Sequence, residues 1–207
     1  MELRILGCSG GEANGERLTG LLVNGCVAID AGSLTAALTV DEQIKIHHVF
    51  ISHSHLDHIC TLPFFTKNIF GHTHEAVEIH ALPETLDVLR RHLFNDELWP
   101  DFSVIPSPND PTIRYTDIEA ERTYDVCGLR ITPIRVNHLV PCVGYKVEDG
   151  KTPSSSPVTR LKPTASGRWP TTRPTCGSSS PKPASRTSRP GWPRPPSTSP
   201  LTNSGSS

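Results

Sequence analysis

Three imidazoles and a carboxylate fall within six consecutive positions, His53-Ser54-His55-Leu56-Asp57-His58, directly after the apolar run Val49-Phe50-Ile51. Residues i and i+2 of an extended segment project to the same side, so His53 and His55 can reach one metal ion from the end of a strand. Asp57 and His58 come after the chain turns, where they can hold a second ion beside the first and carry the catalytic chemistry. Imidazole and carboxylate donors suit zinc first, with manganese or iron as alternatives, at zinc bonds of about 2.0 to 2.2 Å. Two such ions about 3.5 to 4 Å apart can bridge a hydroxide, the nucleophile of hydrolytic two-metal sites. A solvated histidine-rich loop is the plainer reading of two histidines, but the spacing His-x-His-x-Asp-His after a strand argues for ligands.

The elements that must position this cluster can be read around it. Leu3 to Gly7 predicts a strand entering the loop Cys8-Ser9-Gly10-Gly11, which lacks the Gly-x-x-x-x-Gly-Lys spacing of a phosphate cradle and is read as a tight connection. Leu21 to Val23 and Cys26 to Asp30 predict a hairpin around Asn24-Gly25. Asp30, ending that strand before Ala31-Gly32, is read as a cap or a hydrogen-bond partner of a neighbouring loop, with orientation of a metal-bound histidine as the alternative. The spacing of Leu34, Ala37, Leu38 and Ile44 predicts one amphipathic helix from Ser33 to Lys45, with Ser33 as its N-cap. Helices are expected from Leu62 to Phe70, with Pro63 in the first turn, and from Pro83 to Phe94, and a strand from Val77 to Ala81. After a proline-rich connection holding Pro100, Pro106, Pro108 and Pro111, three β-type runs follow: Ile113 to Ile118, Leu129 to Val136 and Cys142 to Val147. Strand and helix alternate in the manner of a layered α/β domain.

The second of those runs ends at Asn137-His138, and a histidine at a strand end, far in sequence from His53 and His55, is where the third ligand of a facial imidazole site belongs. His47, His48, His72, His74, His80 and His92 sit within predicted elements or exposed turns and are read as surface or core residues.

Composition divides the 207-residue chain. Residues 1–150 form one α/β domain with eleven Lys/Arg and twenty-one Asp/Glu; residues 151–207 hold nine Lys/Arg, no Asp or Glu, twelve prolines and fourteen serines. That second stretch has no apolar period and reads as a basic, disordered tail. Nothing at the start has the form of a signal peptide, and no apolar run approaches a membrane span. The six cysteines contain no Cys-x-x-Cys pair, which argues against a disulfide framework or a thiolate zinc site and for a reduced, cytoplasmic protein.

His53 to His58 with a downstream His138 resembles the metallo-β-lactamase fold hydrolases. Within them, the chain is most similar to the bacterial class II 3′,5′-cyclic nucleotide phosphodiesterases. The resembling segments are Leu6 to Gly10, Ser52 to Ile59, Ala81 to Thr85 with Leu89 to Asn95, Trp99 to Phe102, and Asn137 to Pro141 followed by Val143-Gly144-Tyr145. The resemblance implies a four-layer αββα sandwich with two divalent ions at the edge between its sheets. His53, His55 and His138 would hold one ion, Asp57 and His58 the other, and a bridging hydroxide would open a cyclic nucleotide such as cyclic AMP to its 5′-monophosphate. A small-molecule cyclic nucleotide substrate and an open possibility of a homodimer go with it; no membrane partner is expected from the hydropathy, and the acidic balance of residues 1–150 argues against nucleic acid.

The family's pattern also needs an aspartate shared by both ions, in a Gly-Asp-Thr segment, and a last histidine. Neither occurs, because no Asp, Glu or His follows Asp149. Codons permitted for residues 155–167, read one nucleotide out of frame, can spell that Gly-Asp-Thr, and residues 175–187 in the same frame can spell a family-like strand and loop. A frameshift is therefore expected, leaving the sandwich incomplete in its second half and the chain, as written, weak in its second metal and in activity. Other readings are a tRNA 3′-processing endonuclease or lactonase of the same superfamily, which for RNA calls for a basic face that residues 1–150 lack, and a non-catalytic metal-binding module with a basic tail.

Overall fold

The computed structural model describes residues 1–13, 15–73 and 75–150 and the short strand 159–161. His74, the remainder of 151–207 and the expected frame change lie outside the described residues. A first sheet is built in the order β1-β2-β3-β4-β5-β8, from β1 (Leu3–Gly7), β2 (Gly20–Val23), β3 (Val27–Ile29), β4 (His48–Phe50), β5 (Val77–Ala81) and β8 (Ile113–Asp117). Between β5 and β8 the proline-rich connection folds a two-residue ladder of β6 (Pro106–Ser107) on β7 (Asp110–Pro111). The first three strands are antiparallel; β3, β4, β5 and β8 then run parallel. The β2–β3 turn places Asn24 and Gly25 at φ 50° and 72°, the left-handed pair that the Asn-Gly signal predicts.

Each parallel step crosses over through helix: α1 (Leu34–Ala37) and α2 (Val40–Gln43) lead into β4, α3 (Leu56–Ile59) and α4 (Leu62–Ile69) into β5, and α5 (Pro83–His92) into β8. The single helix expected from Ser33 to Lys45 is instead two short ones. Leu38 turns extended at φ −117°, ψ 140°, and Thr39 starts a new helix by a capping box: its side chain accepts from the Glu42 amide while Glu42 accepts from the Thr39 amide. Reciprocal satisfaction of two orphan donors defines a second N-terminus in the middle of the apolar period. Ser33 stands at the N-cap position of α1 but makes no side-chain cap bond.

A second sheet, in the order β12-β11-β10-β9, is formed by β9 (Tyr124–Val126), β10 (Leu129–Arg135), β11 (Val143–Asp149) and β12 (Thr159–Leu161). Alternation along the strands separates two cores. One face of the first sheet, with Val49, Ile79 and Ala81, packs on Leu34, Leu62, Phe65, Leu86 and Leu89 of the helices. The other face, with Val27, Ile29 and Phe50, packs on Ile131, Val143, Tyr145 and Val147 of the second sheet. Each of the Val, Leu, Ile and Phe side chains contributes about 1.5–3 kcal/mol on full burial, so the contact between sheets is set by these residues more than by any single hydrogen bond. Helix, sheet and sheet are three of the four layers of an αββα sandwich, all drawn from the described residues.

Candidate metal centre

Beyond Phe50 the chain leaves the sheet at the carboxyl ends of the parallel strands, and Ile51 to His55, with a bend at Ser54, lead into the first turn of α3. His55 is the residue preceding that helix, at φ −67° and ψ 146°, and its ring meets that of His53, with Nδ1 3.2 Å from His53 Nε2. His138 arrives from the other sheet, on the 136–142 connection between β10 and β11. That connection is pinned beside the cluster: the Val143 amide donates to the Ser52 carbonyl at 3.1 Å, and the buried Tyr145 hydroxyl donates to the Ile51 carbonyl at 2.8 Å. The two sheets therefore meet at the strand end that carries the histidines.

His53 Nε2 lies 3.2 Å from His55 Nδ1 and 3.1 Å from His138 Nε2, and His138 Nε2 lies 3.2 Å from His55 Nδ1. Three ring nitrogens in a triangle of this size fit one ion, since bonds of about 2.0–2.1 Å at near-tetrahedral angles separate ligand nitrogens by roughly 3.3 Å. All three donor atoms fall within 4.8 Å of one another. Burial pushes His53 down to about 3, and the neighbouring imidazoles of His58, His138 and His55 push the same way. Burial and the nearby His55 and His58 also lower His138. Neutral rings with converging lone pairs are what a divalent cation requires of imidazole.

Asp57 and His58 stand beside this triangle as a pair rather than inside it. His58 Nε2 is 3.3 Å from Asp57 Oδ2, and the His58 ring centroid is 4.1 Å from that of His53. Its other nitrogen, Nδ1, donates to Asp30 Oδ2 at 2.7 Å. Burial alone would lower His58, but the charge and hydrogen bond of Asp30, with Asp57 adding, outweigh it and raise the group. The five residues expected from the sequence thus divide three and two, with Nε2 of His58 turned toward Asp57.

Asp30 is the centre of the layer beneath. Its Oδ1 accepts from the Ser52 amide at 2.8 Å and its Oδ2 from the Ser52 hydroxyl at 2.9 Å as well as from His58. The Ser52 hydroxyl in turn lies 3.0 Å from His53 Nδ1. With His53 Nε2 committed to the triangle, Nδ1–H donates to Ser52, Ser52 O–H donates to Asp30, and both His53 and His58 are fixed in the tautomer that bares Nε2. Asp30 holds φ 57°, a left-handed conformation that Asp tolerates better than most residues. Both roles open to it in sequence are present: it accepts from the Ser52 amide of the neighbouring loop and it holds the His58 ring. Ser52 was invisible as a functional residue; its position between an apolar strand and the first histidine was the available signal.

Backbone contacts lock this layer in place. The Ala31 amide donates to the His58 carbonyl at 2.6 Å, the Thr61 amide to Ala31 at 2.9 Å, and the Thr19 amide to the Asp57 carbonyl at 3.2 Å. A Cβ on Gly32 would lie 2.0 Å from the Asp57 carbonyl oxygen, so only glycine lets the 30–32 loop touch the loop of Asp57 and His58.

The model of the class-II cAMP phosphodiesterases matches residues 31–138, just over half of the chain. The 3',5'-cyclic-nucleotide phosphodiesterase 1 of Saccharomyces cerevisiae is 42% identical over 55 residues, 26% of this chain and 15% of that protein. A ribonuclease Z of Metallosphaera sedula is 28% identical over 159 residues, 73% of this chain and 50% of that protein. Among solved structures, the metallo-beta-lactamase fold protein YhfI of Bacillus subtilis superposes with a TM-score of 0.57 at 16% identity, over 72% of this chain and 58% of its own. The chain spans half or less of the two curated relatives. With the match running from the Ala31 loop to His138, the chain belongs to the class-II cAMP phosphodiesterases, on a metallo-β-lactamase fold.

Proposed function

We propose that the protein hydrolyses 3′,5′-cyclic nucleotides, cyclic AMP foremost, to 5′-monophosphates. His53, His55 and His138 hold one divalent ion and Asp57 with His58 the other, zinc being the best fit to this donor set. When bound, such ions supply Lewis-acid stabilisation of charge building on phosphoryl oxygens and lower the pKa of water. The chain's own residues do the rest. Ser52 and Asp30 hold the two buried imidazoles by their Nδ1 atoms, and we assign to the carboxylate of Asp57, next to His58 Nε2, the proton of the water whose oxygen bonds to phosphorus while the bond from phosphorus to the 3′ oxygen breaks and that oxygen leaves, to be protonated from solvent. The observation that carries this reading is the three-histidine triangle with the Asp57–His58 pair abutting it, in a chain matched from 31 to 138 by a cyclic-nucleotide family.

A ribonuclease reading is favoured by the longer similarity to ribonuclease Z, but residues 1–150 carry twenty-one acidic against eleven basic side chains, a poor surface for a polyanion. The test is to incubate the zinc-loaded chain, and a version with the shifted frame restored after residue 150, with cyclic AMP, cyclic GMP and precursor tRNA. Conversion of cyclic AMP to 5′-AMP, lost in His55→Ala and His138→Ala, is expected, with the restored version the faster. Cleavage of RNA without turnover of either cyclic nucleotide would move the protein to the second reading.

A further inference from the structure

Strand β1 closes one edge of the first sheet and pairs only with β2 among the described residues. Glu2, just before it, turns both backbone groups to that neighbour: the Asn24 amide donates to the Glu2 carbonyl at 3.0 Å, and the Glu2 amide donates to Asn24 Oδ1 at 2.8 Å. Bonding alternates along an antiparallel ladder, so Arg4 also faces β2, while the N–H and C=O of Leu3 and Ile5 point outward from the sheet.

Side chains alternate with the same period. Leu3 and Ile5 are paired with Val23 and Leu21, and so project on the face that those two residues pack against the second sheet. Leu3 is nevertheless 36% exposed, Ile5 51% and Met1 47%. Glu2 and Arg4 project on the other face, where Arg4 reaches Glu42 and the Ala37 carbonyl. Edge strands are ordinarily protected by charge, proline or a bulge. At the other edge of this sheet β8 keeps to that rule, since its exposed residues are Arg114 and Asp117. From Leu3 to Ile5 the edge of β1 has no proline, and its register breaks only between Ile5 and Gly7.

We propose that two copies of this chain join through their β1 strands, antiparallel about a two-fold axis at Leu3, so that their two six-stranded sheets become one. The strand is complementary to itself in that register. Leu3 stands opposite Leu3 of the second copy, Ile5 opposite Met1, and Arg4 opposite Glu2. The outward-pointing residues then meet as hydrogen-bonded pairs: Leu3 N–H donates to the Leu3 carbonyl of the other copy, and Ile5 N–H to the Met1 carbonyl. On one face Met1, Leu3 and Ile5 cover their counterparts from water. On the other, each Arg4 guanidinium meets a Glu2 carboxylate, twice by symmetry, and it has donors enough for Glu42 as well.

Neighbouring registers lack this fit. Centred on Arg4, the pairing would set two guanidinium groups opposite each other and oppose backbone groups already bonded to β2. Centred on Ile5, it would put Glu2 opposite Cys8 and Arg4 opposite Leu6. Charge and the direction of the free backbone groups therefore select a second copy of this chain, in one register. Such a contact uses both edges, so assembly stops at two.

The experiment is analytical ultracentrifugation of the full 207-residue chain over a concentration series, with circular dichroism to check folding. Wild type is expected to pass from monomer to dimer and no further. Ile5→Pro removes an outward N–H that β2 does not use and is expected to abolish the dimer. Should that variant fail to fold, Ile5→Lys at the same half-exposed position takes its place, with the same loss expected. Glu2→Lys sets an ammonium opposite each Arg4 and is expected to weaken association about tenfold at low salt, the gap from wild type narrowing at high salt. Leu98→Lys, at an exposed apolar residue in the loop after α5, is expected to leave the dimer unchanged. A wild-type chain that stays monomeric or grows beyond a dimer, or a dimer that survives Ile5→Pro and Glu2→Lys unaltered, would overturn the proposal.

Discussion

Asp30 shows how much of the histidine cluster rests on one residue outside the three-imidazole triangle. Its carboxylate accepts from the Ser52 amide, the Ser52 hydroxyl and His58, all in a buried setting where an unmade hydrogen bond is expensive. Asp30→Ala removes these charge-assisted acceptances and leaves a Cβ-bearing residue at φ 57° without the side chain that tolerates it. A loss of about 2–4 kcal/mol is expected, read from urea denaturation, together with a 10- to 100-fold fall in zinc affinity, read by competition with a chelator. Unchanged zinc affinity in a folded Asp30→Ala protein would remove Asp30 from the centre. His80 gives a prediction of a different kind. Burial, with the facing His48, brings it down to about 4, whereas an unfolded chain protonates it near pH 6.5. Between those values the unfolded state binds the extra proton, so stability present above pH 6.5 is lost as the pH falls toward 4 and changes no further below. The shift corresponds to roughly 3 kcal/mol at most. His80→Phe should flatten this part of the profile, visible as a stability difference from wild type that changes between pH 7 and pH 4.5 in metal-free buffer; a difference constant with pH would rule the titration out.

The loops and strand ends, more than the helices, decide the geometry of the centre. Gly32→Ala places a Cβ 2.0 Å from the Asp57 carbonyl oxygen, a backbone atom that no side-chain rotation can clear. Either the 30–32 loop or the Asp57–His58 loop must move, and a cost of at least about 2 kcal/mol with weaker zinc binding is expected from denaturation and dialysis. Thr39→Ala, by contrast, removes one half of the capping box of α2 at about 1 kcal/mol and leaves zinc affinity unchanged, because α2 touches none of the ligands. Much of this architecture was legible in the sequence. The convergence of His53, His55 and His138 beside Asp57 and His58 could be anticipated because ligand chemistry restricts residue type and spacing, and β5, α4, α5 and the Asn24-Gly25 turn followed from periodicity and φ preference. The break between α1 and α2 was not, since Leu34, Leu38 and Ile44 keep a helical period across it and only the Thr39–Glu42 pair marks the restart. Ser52 and the Nδ1 tautomers were hidden for another reason: they depend on Asp30 lying across the sheet, a contact between residues 22 positions apart.

At the scale of the molecule the centre is unequal on its two sides. One side has three imidazoles, drawn from both sheets and already at ligand spacing; the other has Asp57 and His58 and no further acidic or histidine side chain from the sequence after Asp149. A cation held by two protein groups binds far more weakly than one held by three. Loss of a mere orienting partner lowers metal affinity 10- to 100-fold, so two protein ligands against three should separate the two sites by at least about 100-fold. Zinc titration of the 207-residue chain should then show one tight equivalent at this centre and a second reached only near saturation. If the shifted frame after residue 150 does spell the Gly-Asp-Thr that its codons permit, replacing 151–207 by it adds a carboxylate for both ions to share, and this version should take up two equivalents tightly and turn over cyclic AMP at least about 100-fold faster. The nucleotide sequence of codons 150–156 is an independent check, because a one-base insertion or deletion must lie there for the shifted frame to join the strand β11 in register. Two tight zinc ions and full turnover in the unaltered chain would show instead that residues 1–150 complete the centre without that aspartate.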